Sequence, residues 1–164
     1  MTVNEQQVTR VFEHSRDDVY RYVLTLGLPA PQAQEVAQEA FLRLYIALEK
    51  GDNIQNLRAW VFRVAHNHGL DVRARERMKP LEPELEAMLS DSRRGADAEL
   101  IEREKMEQIA KAWSRLSAQQ RQCLHLRAEG LRYREIAETM QLSISSVRAF
   151  LFRAIARLQK AVHE

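Results

Sequence analysis

Residues 131–160 read LRYREIAETMQLSISSVRAFLFRAIARLQK, and the spacing of their apolar positions decides how the rest of the chain is interpreted. Ile136, Ala137 and Met140 form one stripe at helical spacing, Gln141, Leu142 and Ser143 interrupt it, and Val147, Leu151, Ile155 and Leu158 form a second. The pattern predicts two helices meeting across a short turn. Ala137 is small where the second helix would cross the first, and Val147 is a β-branched plug beyond the turn, so a close crossing is sterically open. Ser143 is placed to cap the second helix through its hydroxyl. The outward positions of that helix are then Ser145, Ser146, Arg148 and Ala149, followed by Phe152 and Arg153. Short polar side chains and arginines there suit a helix lying in the major groove of DNA. Taken alone, the segment fits an ordinary helical hairpin with a solvated basic face equally well. Its flank favours the DNA-reading version. WSRLSAQQR at 113–121 sets Ser117 and Gln120 at capping-box spacing before an apolar run, so three helices and a lead-in can bury the stripes together.

Five glycines and four prolines in 164 residues leave few breaks in a helical pattern, which predicts an all-α fold of one domain or two small ones. The net charge of +2 conceals strong segregation. Residues 1–50 carry 5 basic and 7 acidic groups, 51–79 carry 6 and 3, 80–110 carry 4 and 9, and 111–164 carry 10 and 4. Two basic blocks separated by an acidic one suggest two polyanion contacts joined by a segment that avoids or imitates nucleic acid. No run approaches the roughly 18 apolar residues of a membrane span, and no basic-then-apolar leader opens the chain, so the expected location is the cytoplasm. The one cysteine, Cys123, lies in the apolar run Cys123-Leu124-His125-Leu126 and reads as a buried thiol.

From Glu5 to Leu26, Val8, Val11, Phe12, Val19, Val23 and Leu26 keep a helical period that Gly27-Leu28-Pro29 ends. Pro31 opens a second amphipathic segment with Ala37, Ala40, Phe41, Leu44 and Leu48 on one face. Glu35, Gln38, Glu39 and Leu42 lie on the other, where a leucine among polar and acidic side chains fits a contact patch or a solvated face with one stray apolar residue. After a turn at Gly51-Asp52-Asn53, the stripe Leu57, Trp60, Val61, Val64 and Ala65 marks a third helix, with Arg58, Arg63, Arg73, Arg75 and Arg77 supplying charge. Arginines near aromatic rings suit phosphate contact and stacking of unpaired bases. The stripe assigns Trp60 to the core instead. Gly69 costs about 1 kcal/mol inside a helix and marks either a close approach or a break. Residues 80–98, rich in acids and carrying Pro80, Pro83 and Gly95, read as a linker between domains at 1–79 and 99–164.

AQEVAQEAFLRLY at 33–45, NLRAWVFRVAHNHGLDVRARER at 56–77 and the segment 113–160, in this order, resemble the sigma-70 family, in particular the small two-domain extracytoplasmic function sigma factors. The resemblance implies region 2 in residues 1–79 and region 4 in 99–164. It implies a promoter-specificity subunit that binds core RNA polymerase through the β′ clamp helices and the β flap and reads promoter DNA. By position, Glu35, Gln38, Glu39 and Leu42 would meet the clamp helices. Arg63, Asn67, Asp71 and Arg75 would lie near the −10 element, with the Gly51–Asn56 loop, Asn53 included, shaping a pocket for a flipped base. Asp71 is also spaced for a local pair with Arg75, worth about 0.3 kcal/mol. Ser145, Ser146, Arg148, Ala149 and Arg153 would read the −35 element. An anti-sigma factor is a further candidate partner.

Three positions depart from the family pattern. Gln141 replaces the usual turn glycine, so a non-glycine residue would hold a left-handed conformation at a cost of about 1 kcal/mol. Phe150 and Phe152 replace common arginine or histidine, which implies weaker phosphate contact, and leaves extra core or a protein contact as their role. No catalytic constellation, cofactor, metal or small-molecule substrate is expected. His66 and His68 would point about 200° apart on a helix, a poor arrangement for one metal, and there is no phosphate-binding glycine loop. The alternatives are a sigma-like decoy that binds an anti-sigma factor without DNA, and a dimeric helix-turn-helix regulator. The regulator leaves the 31–48 face and the arginine-rich 56–77 segment unexplained.

Overall fold

A computed structural model describes residues 1–76 and 100–163. Among these the chain forms seven helices and no strand: α1 (Val3–Thr25), α2 (Ala30–Glu49), α3 (Leu57–Glu76), α4 (Leu100–Ser114), α5 (Ala118–Ala128), α6 (Tyr133–Met140) and α7 (Ile144–His163). Helices α1–α3 belong to one compact unit and α4–α7 to a second. The linker expected at 80–98, and Arg77, lie outside the described residues.

In the first unit, α1 starts at a capping box in which the Glu5 amide donates to Thr2 Oγ1 and the Thr2 amide to Glu5 Oε2, both at 3.1 Å. Pro29 and Pro31 open α2, and the Asn56 side chain caps α3 by accepting from the Ala59 amide at 3.0 Å. All three helices pack on one another, burying Val19, Tyr22, Val23, Leu26, Val36, Ala40, Leu44, Val61, Phe62 and Ala65. The expected α3 stripe is therefore corrected. Trp60 and Val64 are only half-buried, while Ala59, Phe62, Ala65, His66 and Gly69 face inward. Ala59, Ala65 and Gly69 are small residues on this face, and Phe62 and His66 fill the space against Tyr22. A Cβ on Gly69 would lie 3.0 Å from Leu26 Cδ1 and 3.5 Å from Leu28 Cδ1, so the glycine marks a close approach and α3 runs through it unbroken.

Arg58 and Arg73, expected to supply charge for nucleic acid, serve the fold. Arg58 donates to Ser15 Oγ at 2.8 Å, pairs with Asp18 at 3.3 Å and lies over the Phe62 ring, while Arg73 donates to the Leu26 carbonyl at 3.2 Å. Both tie α3 to α1 or to its C-terminal end.

The second unit follows the reading of its capping signals. Ser117 and Gln120 form the expected capping box at α5, with bonds of 3.0 and 3.1 Å, and Ser143 Oγ accepts from the Ser146 amide at 3.1 Å at the start of α7. Gln141 is left-handed, at φ 55° and ψ 47°, and ends α6 with its amide on the Ala137 carbonyl. Ile136, Ala137, Val147 and Leu151 are buried as the two stripes require. One position is corrected: Ile155 is 40% exposed and Ala154 is buried in its place. Ala154 packs with Trp113 and Leu116, and the bulk of the indole leaves room there for only a small side chain.

Candidate nucleic-acid interface

Three exposed rows, each backed by a buried face, carry the chemistry anticipated from the sequence. On α2, Val36, Ala37, Ala40, Phe41 and Leu44 are buried, which turns Glu35, Gln38, Glu39 and Leu42 outward. Leu42 is 52% exposed. One turn further, Ile46 is also exposed, a residue the sequence reading passed over; with Leu42 it makes an apolar ridge beside carboxylates. Glu39 pairs with Arg43 at 3.3 Å, and Arg43 reaches the His68 ring of α3 at 3.5 Å. Burial and the neighbouring Arg43 guanidinium hold His68 below its ordinary value.

On α3, residues Arg63, Asn67, Asp71 and Arg75 recur every fourth position and climb the outward side, from half-buried Arg63 and Asn67 to exposed Asp71 and Arg75. Arg75 Nε donates to the Asp71 backbone carbonyl at 3.4 Å. Trp60 belongs to this row. At about 100° per residue it falls about 60° from Arg63, on the side away from Phe62, and it is half-exposed. Its assignment to the core hid it from the sequence reading, although the pairing of arginine with an aromatic ring was the available signal. Asn53 is exposed in the loop that precedes α3, where Gly51 takes a φ of 87°.

The inward side of α3 fixes this row in place. Tyr22 Oη lies 2.7 Å from His66 Nδ1, the two rings stack at 5.9 Å, and Phe62 meets Tyr22 edge-on at 5.7 Å. Burial pushes the His66 imidazole down to about 4, so the ring is neutral at physiological pH. His66 is thus a core residue, and among the described residues no group of three His, Cys, Asp or Glu side chains could hold a metal ion.

On α7, Ser145, Arg148, Ala149 and Arg153 are exposed above buried Val147 and Leu151, and Ser146 is half-buried. Ser143 Oγ contacts Ser146 Oγ at 2.9 Å, so one of the predicted readers is also engaged at the helix start. Phe150 is half-buried and Phe152 is 75% exposed. Phe152 is therefore not part of the core. The buried thiol of Cys123 is pushed up to about 11 by burial, in keeping with a structural role. No described helix is long and apolar enough to cross a membrane.

A family model described as Sigma-70 region 2 matches residues 11–78, and one described as Sigma-70, region 4 matches residues 106–158. The chain is 28% identical to the ECF RNA polymerase sigma factor SigM of Bacillus subtilis, over 97% of this chain and 94% of that protein. It is 32% identical to the RNA polymerase sigma-H factor of Pseudomonas aeruginosa, over 81% of this chain and 74% of the relative. Its fold is similar to that of the sigma factor RpoE from Bartonella quintana, solved in complex with the anti-sigma factor NepR. That likeness has a TM-score of 0.60 at 19% identity, and covers 97% of this chain and 96% of the other.

Proposed function

The chain belongs to the sigma-70 family, and we propose that its two units divide promoter recognition, residues 1–79 acting as region 2, 99–164 as region 4 and 80–98 as the acidic connection. The protein is a promoter-specificity factor: it binds core RNA polymerase and directs sequence-specific transcription initiation. The observation that carries the division of labour is that each separately packed unit presents one outward helical row with nucleic-acid chemistry, on α3 and on α7.

On α2, Glu35, Gln38, Glu39 and the Leu42–Ile46 ridge form the surface for the β′ clamp helices, in which buried apolar contact supplies affinity and the carboxylates select basic partners. The β flap is the contact for the second unit. On α3, Arg63 and Arg75 neutralise phosphate, Asn67 and Asp71 read or hold bases at the −10 element, Trp60 stacks on an unpaired base, and Asn53 borders the pocket for the flipped one. Flipping a base costs a few kcal/mol, and a stacking contact returns about 1 to 3 kcal/mol, so melting on this row requires polymerase contacts as well. On α7, Arg148 and Arg153 anchor the helix in the major groove at the −35 element, and Ser145, Ser146 and Ala149 contact base edges there. The function is one of binding and strand separation without covalent chemistry, and it is exercised in the cytoplasm. An anti-sigma factor that covers the α2 or α7 surface would block it.

Reconstitution with bacterial core polymerase and mapping of transcript starts on genomic DNA tests the reading. Specific starts are expected, with output reduced by Arg148→Ala and Arg153→Ala. Each substitution should also lower the salt slope of promoter binding by about one unit. Absence of specific initiation, or tight sequence-specific duplex binding by the chain alone at physiological salt, would overturn it.

A further inference from the structure

We propose that the groove between α4 and the C-terminal half of α7 is a binding site for a short polyphosphate chain, free or carried by a nucleoside. The groove lies within the second unit and shares no residue with the rows assigned to polymerase and DNA.

The concavity follows from small side chains at a helix contact. α4 packs on α7, and half-buried Ala112 and Ala161 line their junction, too short to fill it. The space left is about 500 Å³, within the range of small-molecule sites. Its walls are basic. Lys111 and Arg115 stand on the α4 side and Arg157 and Lys160 on the α7 side, and among the described residues no carboxylate lines the groove. Nor does a described carboxylate pair with Lys111, Arg115 or Arg157. Arg157 Nη1 donates to the Arg115 carbonyl at 3.2 Å, which holds the guanidinium against the opposite wall and leaves its remaining N–H groups for a ligand. Cations gathered around one concavity repel one another, and a bound polyanion offsets that cost.

Charge and shape then select the ligand. A single phosphate monoester carries about two negative charges at neutral pH, too few for these walls. Two or three linked phosphates match the cations in charge and reach both walls at once. Arginine offers their oxygens a planar fork and lysine a point charge, while the alanine floor offers a nucleoside an apolar surface. A DNA backbone carries the same phosphates on a convex duplex, which would rest on the rim and leave the concavity unfilled. A short chain enters it.

The test uses the full chain, titrated with sodium triphosphate in a calorimeter at an ionic strength of about 0.15 M. Saturable one-to-one binding tighter than about 1 mM is expected, and sodium sulfate at equal ionic strength should not reproduce it. Lys111→Gln/Arg115→Gln on one wall and Arg157→Gln on the other should each weaken binding by about tenfold or more. Lys105→Gln, at an exposed position of α4 outside the groove, should leave it unchanged. Melting of the second unit, followed by Trp113 fluorescence in a Trp60→Phe background, establishes that each variant folds, and triphosphate should raise the midpoint only where binding survives. Tighter binding of a nucleoside triphosphate than of triphosphate would assign the floor to the nucleoside; equal affinity would assign the site to the phosphate chain alone. Absence of saturable binding, an equal response to sulfate, or undiminished affinity in the folded Lys111→Gln/Arg115→Gln variant overturns the proposal. So does displacement of triphosphate by unrelated duplex DNA or a polyglutamate peptide as effective, charge for charge, as displacement by triphosphate itself, the signature of a general cationic face.

Discussion

Acidification should destabilise the α1–α3 unit by an amount set by one residue. His66 is 3% exposed, its Nδ1 lies 2.7 Å from the Tyr22 hydroxyl, and burial holds it at about 4 against an ordinary value of 6.5. In the unfolded chain the ring titrates near 6.5, so below that pH the unfolded state takes up a proton that the folded state refuses. A lowered folded value means that the stabilisation is fully present above about pH 6.5 and is lost as pH falls toward 4. At about 1.36 kcal/mol per unit, integration from pH 7 to pH 5 gives a loss of about 2 kcal/mol, rising to about 3 kcal/mol at pH 4. Each unit carries one tryptophan, Trp60 or Trp113, so Trp113→Phe leaves Trp60 fluorescence as a reporter of the first unit alone. With a urea m-value of about 1 to 2 kcal/mol/M, the midpoint should drop by about 1 to 2 M between pH 7 and pH 5. The double variant Tyr22→Phe/His66→Leu replaces both partners by apolar groups, which keeps the core satisfied and removes the titration. Its midpoint should move far less over the same range. An identical shift in parent and double variant would assign the acid sensitivity to carboxylates and refute the account of His66.

Gln141→Gly relieves a left-handed side chain at φ 55°. The gain of about 1 to 2 kcal/mol is partly offset by unfolded-state entropy, and a net rise of about 3 to 5 °C in the second unit's melting temperature is expected from Trp113 fluorescence in a Trp60→Phe background. The Cys123 thiol, pushed up to about 11 and buried, should resist alkylation at pH 8 in the native protein and react when urea is added; fast native labelling would contradict its burial. Leu42→Glu, at a position 52% exposed, should leave thermal unfolding unchanged and weaken core polymerase binding by about tenfold in a direct binding assay. A change in folding with binding intact would remove Leu42 from the interface.

Local features were legible in the sequence because they are decided within a few residues. The capping box of Ser117 and Gln120, the Ser143 cap and the left-handed Gln141 each depend on a single turn, and all appear where expected. The inward face of a helix depends on partners far along the chain, and there the pattern misled. Trp60 and Ile155 had the right hydrophobicity for the core, yet Phe62 and Ala154 occupy it. At those points α3 crosses Tyr22 and α7 crosses Trp113, and the space available decides. For the same reason Arg58 and Arg73 look like phosphate contacts in the sequence, because Ser15, Asp18 and the Leu26 carbonyl, their partners, lie forty or more residues away. The outward rows were easier to read, since exposure follows once any inward face is right to within one position.

The two rows are supported in different ways, and the difference matches the tasks proposed for them. On α3 the reading side is braced by the Arg58 contacts to α1, by the His66–Tyr22 bond and by the close approach at Gly69. Rigidity of that kind suits a site that must hold a base out of the stack, since contacts placed before the base arrives need no further ordering to offset the few kcal/mol of flipping. On α7 the exposed side stands on Val147, Leu151 and Ala154 and on a turn held left-handed by glutamine, so the helix proposed to meet intact duplex is aimed by a joint carrying about 1 kcal/mol of strain. Because His66 lies in the brace of α3 and is held at about 4 by burial, mild acid should weaken the strand opening proposed for this row. Permanganate footprinting of the opened strand on the holoenzyme should fall between pH 7 and pH 5 for the parent and fall far less for Tyr22→Phe/His66→Leu, and an equal fall in both would refute the link between His66 and strand opening.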